Sequence, residues 1–223
     1  WIKIDTGERV HLFELNRPGL RTSFSGDLAY DSRRKLLYVL DPANFRVVVF
    51  DGRRRRPVGS VETGPLPFAM TLSPDGRRLF VTHVGLFRYQ LLPGVTLKEA
   101  ESRGLLWPPF AFPSEEARSG ARLERGSEML RVPGLGDPNA EQAGGVCVLN
   151  VEAPEKPRIE RWIRTGVPVG QNSAGPSGAS HILIAAGRIF VSNSLQDSLS
   201  IIDAQTLQPV GEIQIRLPGF ERH

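Results

Sequence analysis

Leu36-Leu37-Tyr38-Val39-Leu40-Asp41-Pro42-Ala43-Asn44-Phe45-Arg46-Val47-Val48-Val49-Phe50-Asp51 is the stretch that decides the fold. Two runs rich in β-branched and aromatic residues flank Asp-Pro-Ala-Asn, the pattern of a strand, a tight turn and an antiparallel strand. The same order of parts, closing on an Asp, recurs over Gly187–Asp203, and Gly76–His83 is a third, partial copy. Working outward, Phe24–Asp31 and Pro57–Thr63 read as a first and a fourth strand. Four antiparallel strands in about 40 residues is the size of one propeller blade. The corresponding residues Tyr38 and Phe80 stand 42 positions apart.

The next copy, at Phe190, arrives far more than one period after Phe80, so a segment is inserted between them. Val146–Val151 and Arg158–Ile163 supply the two strands that the second copy lacks, which places the insertion at 84–144. Its prolines argue against regular sheet. Ser114 followed by Glu115 and Glu116 predicts one helical turn. Residues 1–15 alternate like a hairpin around Thr6-Gly7-Glu8-Arg9 and read as half a blade. The expected architecture is an all-β propeller segment: a half blade (1–15), a blade (20–64), a blade carrying the insertion (65–165) and a blade (170–217). About three and a half blades do not close a ring, so the expectation is an open arc. Other subunits, or a remainder of the same propeller, would complete it.

Composition narrows the chemistry. The 223 residues are 40% hydrophobic with a net charge of +4, and 24 of the 28 basic residues are arginine. That is too diffuse for a dedicated nucleic-acid binder, and no strand interleaves aromatic with basic residues. No apolar run approaches the roughly 18 residues of a membrane span. The N-terminal Trp1-Ile2-Lys3-Ile4-Asp5 is neither an initiator Met nor a signal peptide, and the expectation is that something upstream has been removed or left out. The single cysteine, Cys147, sits between valines and reads as a buried core thiol; alone it builds no disulfide framework, multi-cysteine zinc site or covalent haem attachment. The glycine-rich 166–178 stretch lacks the Lys-Ser/Thr ending of a phosphate loop and reads as a blade connection.

Propeller topology gathers the turns on two faces. The first collects Asp41–Asn44, Thr63–Pro67, the insertion, Gly166–Ser180 and Asn193–Asp197. The second collects Ser32–Lys35, Arg53–Arg56, Asp75–Arg78 and Ala204–Gln208. On the first face Asp41, His83 and Asn193 end equivalent strands, with His181 nearby; such a set could hold a polar ligand or a divalent metal, or Asp41 and Asn193 simply cap their own turns while His83 packs under the insertion. No cofactor is otherwise expected. Arg53, Arg54, Arg55 and Arg56 form a cationic hairpin tip suited to a solvated turn, an acidic partner or a lipid surface. Trp107, Phe110 and Phe112, set among prolines, make a stiff apolar segment for covering the propeller or for docking a partner.

Leu72-Ser73-Pro74-Asp75-Gly76-Arg77-Arg78-Leu79-Phe80-Val81-Thr82, Arg188–Asn193 and Ser200–Ala204 resemble the YVTN, or YncE-like, β-propeller repeat family of bacterial secreted and periplasmic proteins. The insertion is similar to that of long members, some of which carry further blades and a phosphoesterase-like domain downstream. The resemblance implies a periplasmic or extracellular setting. The expected role is a non-catalytic scaffold or protein-binding module in a larger assembly. The alternative is the propeller part of a phosphoesterase-like or lactonase-like hydrolase whose catalytic residues lie mainly elsewhere.

Overall fold

A computed structural model describes residues 2–85, 94–96, 114–125, 127–170 and 176–215. Three four-stranded antiparallel sheets follow one another. Blade 1 is β1 (Leu28–Asp31), β2 (Leu36–Asp41), β3 (Arg46–Asp51) and β4 (Arg56–Glu62), in that order across the sheet. Blade 2 is assembled from both sides of the insertion: β5 (Pro67–Leu72) and β6 (Arg78–His83) pair onward with β9 (Gly145–Asn150) and β10 (Arg158–Arg164). Blade 3 is β11 (Ala179–Ala185), β12 (Arg188–Asn193), β13 (Ser198–Asp203) and β14 (Pro209–Gln214). The inner strand β5 packs beside β1 and β11, so the first strands of the blades converge.

One turn design recurs. Asp31 Oδ1 accepts from the N–H groups of Arg33 and Arg34, and Lys35 takes the left-handed conformation with φ 61°. Asp51 with Arg55 (φ 52°) and Asp203 with Leu207 (φ 59°) repeat it. A carboxylate that caps two backbone donors makes up for the cost of holding a non-glycine residue at positive φ.

Strand pleating then sends alternate residues to opposite faces, and the core forms between blades. Tyr38, Leu40, Val47 and Val49 of blade 1 pack on Met70, Leu79, Val81, Cys147 and Leu149 of blade 2. The other side of blade 2, through Phe80, Val146, Val148 and Ile163, packs on Ile189, Val191 and Ile202 of blade 3. Polar bridges reinforce the first junction. The Arg34 guanidinium donates to Asp31 Oδ2 (2.6 Å), the Tyr38 hydroxyl (2.9 Å), the Val151 carbonyl (2.8 Å) and the Gly76 carbonyl, and Asp27 Oδ2 accepts from Met70 N (2.8 Å). At the second junction Thr82 Oγ1 reaches the Ser180 carbonyl at 3.3 Å.

Two expectations change. Residues 1–15 do not form a two-stranded half blade: among the described residues they contribute one isolated bridge, Ile2 to Arg9. The end of the same segment lies instead on the outer face of blade 1, where Phe13 and Leu15 meet Val39, Val48 and Phe50. The alternation read as a hairpin also suits a chain laid along a sheet. The insertion does contain regular sheet, a hairpin of β7 (Gly120–Arg125) and β8 (Glu128–Pro133). Prolines bracket this stretch at 113 and 133 but do not enter its paired interior, so they limit the hairpin rather than forbid it. The expected helix is present as α1 (Glu115–Ser119), with Ser114 Oγ accepting from Ala117 N at 3.1 Å.

Candidate functional site

Asp41, His83 and Asn193 do end the second strands of successive blades, and all three are fully or almost fully buried. Each meets different chemistry. Asp41 Oδ2 accepts from Arg46 Nε (2.8 Å), Asn44 Nδ2 (3.0 Å) and Ser23 Oγ (2.8 Å). Burial alone would raise this carboxyl, but those hydrogen bonds and the Arg46 charge hold it below the usual carboxylate range. Arg46 also donates to the Leu15 carbonyl at 2.7 Å, so the pair fastens the N-terminal segment to the outer face of blade 1.

Asn193 fills the same place with an amide where blade 1 has a carboxylate. Its amide donates to Ser198 Oγ (3.0 Å), Ser200 Oγ (2.8 Å) and Glu212 Oε1 (3.0 Å), and both serines donate to the Glu212 carboxylate. Ser200 in turn accepts from Gly166 N at 2.8 Å, which holds the incoming connection from blade 2. Gln196 grips the same connection through both backbone polar groups of Val167.

His83 is the outlier. Its ring lies against Gly64, where an added Cβ would stand 2.6 Å from Cγ, and meets Trp162 edge-on at a centroid distance of 5.2 Å. Neither ring nitrogen has a hydrogen-bond partner among the described residues. Burial pushes its pKa down to about 4, with the Gly85 backbone opposing the shift. It ends β6 opposite Gly145, at the point where the insertion leaves and re-enters the sheet. His181 is exposed at the start of β11, its ring 5.6 Å from that of Phe68.

No hydrogen bond joins any one of the four candidate ligand residues to another. Among the described residues no group of three or more His, Cys, Asp or Glu is arranged to hold a metal. Cys147 is buried, and its thiol is pushed up to about 12 by desolvation. Arg53–Arg56 form an exposed turn in which only Arg54 has an ion-pair partner among the described residues, Asp51 at 3.6 Å. Trp107, Phe110 and Phe112 lie outside the described residues. The returning end of the insertion is anchored: Asn139 accepts from Arg164 Nη2 and Val169 N, both at 2.8 Å, and donates to the Val169 carbonyl.

Sequence reasoning missed the surface that the sheets leave open. Leu183 and Ile213 of blade 3 are 61% and 46% exposed, and beside them Phe190, Leu199 and Ile201 are only partly covered. The strand pairing equates Phe190, Leu199 and Ile201 with Tyr38, Val47 and Val49 of blade 1, each fully buried against blade 2. The signal was present in the sequence as a repeated Pro-Val-Gly, at Pro57–Gly59 and Pro209–Gly211, each following the turn closed by Asp51 or Asp203.

No family model matches this sequence, and no curated protein does. Solved structures do resemble it. The Cps50 (Swd1) β-propeller domain of Myceliophteria thermophila aligns with a TM-score of 0.50 at 11% identity, over 86% of this chain and 44% of that one. Apo AztD from Citrobacter koseri aligns at a TM-score of 0.49 and 9% identity, over 90% and 37%. A functionally unknown protein of Desulfotomaculum acetoxidans aligns at 0.46 and 11%, over 85% and 42%. The chain thus spans less than half of each of these structures. At these identities the likeness to the Swd1 domain speaks for fold alone. With the three blades described above, it defines the class of this protein as a β-propeller module present as an incomplete ring.

Proposed function

We propose that this chain is a non-catalytic β-propeller segment that serves as a scaffold or protein-binding module inside a larger bacterial assembly. The observation that carries the reading is where its reactive side chains are spent. Asp41 is bound to Arg46 and the N-terminal segment, Asn193 to Glu212 and the connection from blade 2, and His83 is sealed between Gly64 and Trp162. Groups enclosed in this way hold the arc together, and among the described residues no hydrogen bond joins one of them to another. The periplasmic or extracellular setting rests on the repeat-family resemblance.

The test is mass measurement on the protein purified from its natural source. Either a denatured mass well above the 24.6 kDa of this sequence, or a matching denatured mass within a larger native particle, is the expected result. A stable native monomer of 24.6 kDa would overturn the reading.

A further inference from the structure

The two junctions between blades reuse one contact. In blade 1, Gly59 faces blade 2 so closely that an added Cβ would collide with the Pro154 carbonyl oxygen and stand 3.1 Å from Pro157 Cδ. Pro154 and Pro157 belong to the turn between β9 and β10, so the outer turn of blade 2 is seated on a glycine of blade 1. The equivalent residue of blade 2 is Arg161, paired with Val148 as Gly59 is with Val49. Its guanidinium lies 3.0 and 3.2 Å from the Gln208 side chain, with the amide oriented to accept, in the outer turn of blade 3. At both junctions this position touches the outer turn of the next blade.

Blade 3 has the same position at Gly211, paired with Ile201 after the same bulge. Here an added Cβ would find only Ile201 Cδ1, at 3.8 Å. The seat is built and nothing among the described residues sits in it. It adjoins Leu183, Phe190, Leu199, Ile201 and Ile213, the open counterpart of the face that blade 1 buries under blade 2.

We infer that the Gly211 face of blade 3 docks a fourth four-stranded blade of the same ring, whose inward side is aliphatic and whose outer turn lays its backbone over Gly211. This rests on the proposed role within a larger assembly and names the surface that the assembly covers. A second copy of the chain arriving head to tail is disfavoured. Its matching surface, the outer side of blade 1, is already occupied by Phe13 and Leu15 and fastened by Arg46.

Hydroxyl-radical footprinting of the 223-residue chain and of the whole protein from its natural source tests the inference. Leu183, Phe190 and Ile213 are expected to oxidise readily in the 223-residue chain and at least severalfold more slowly in the whole protein. Gly211→Trp fills the seat. It is expected to leave the melting temperature of the 223-residue chain within about 2 °C of the parent, because the position is open, and to abolish the protection in the whole protein. Equal oxidation in both forms would overturn the docking surface while leaving the mass test of the assembly role untouched. Slow oxidation of the 223-residue chain as a monomer would assign the face to its own tail and overturn the inference, and a concentration-dependent dimer that protects the face would assign it to a second copy with the same effect.

Discussion

Acidification should cost this protein stability through His83, and the size of the loss can be worked out. An unfolded histidine titrates near 6.5, whereas burial lowers the folded value to about 4. Between those values the unfolded chain takes up a proton that the native state refuses, so stability present above pH 6.5 falls as the pH drops toward 4. At pH 4.5 the linkage amounts to about 2.5 kcal/mol. In His83→Leu the titrating group is gone, so this component of the pH dependence should disappear. Asp31 and Asp41 are held below their ordinary range by hydrogen bonds and arginine charge that outweigh burial. Their stabilising contributions are therefore lost as the pH falls from the ordinary carboxylate range through their lowered folded values, and that loss is common to parent and variant. Urea denaturation of both proteins at pH 7.5 and 4.5, followed by tryptophan fluorescence, measures the difference. Parallel losses in parent and variant would refute the argument, since they would mean that His83 has a partner able to hold its proton in the folded state.

Two further outcomes follow from the local chemistry. Arg46→Ser leaves the Asp41 carboxylate buried without its cation and should cost about 3–5 kcal/mol; adding Asp41→Asn recreates the Asn193 and Ser198 pair of blade 3 and should recover at least about 2 kcal/mol of that loss, as read from a double-mutant cycle in urea. Arg55→Gly relieves a left-handed residue at φ 52° and should stabilise the chain by about 0.5 kcal/mol after the greater freedom of unfolded glycine is counted; an unchanged or lower denaturation midpoint would show that the Arg55 conformation costs little.

The blades were legible because a propeller repeats itself in the chain. Aligning Leu36–Asp51 with Gly187–Asp203 put Asp41 and Asn193 at one position, and the 42-residue spacing from Tyr38 to Phe80 added His83 and located the insertion. The junctions between blades were not legible in the same way. The clamp made by Arg34 depends on the Val151 carbonyl, 117 residues away, and a backbone acceptor leaves no mark in the sequence. Burial was equally hidden: nothing in the pattern around His83 says that Gly64 lies flat against its ring. The repeated Pro-Val-Gly was in plain view, but its meaning requires the turn at Pro154, which only the folded neighbour supplies. The N-terminal alternation misled because period two describes a chain lying on a sheet as well as a strand within one.

The different residues at the ends of the second strands bear on what those positions do. A ligand held around a common axis would need side chains that leave their sheets and converge. Asp41, His83 and Asn193 are instead buried at their own strand ends, and two of them hold an incoming segment: the N-terminal stretch through Arg46 in blade 1, and the connection from blade 2 through Ser200 in blade 3. His83 stands where the third such segment, the insertion, departs. An ion pair, an amide and hydroxyl cluster ending on the Glu212 carboxylate, and a buried imidazole can all fill this place because the task is local, the closing of a strand end against an incoming chain. The position therefore reads as a joint in each blade, and the surface inferred to receive a further blade lies elsewhere, on the outward side of blade 3 around Gly211.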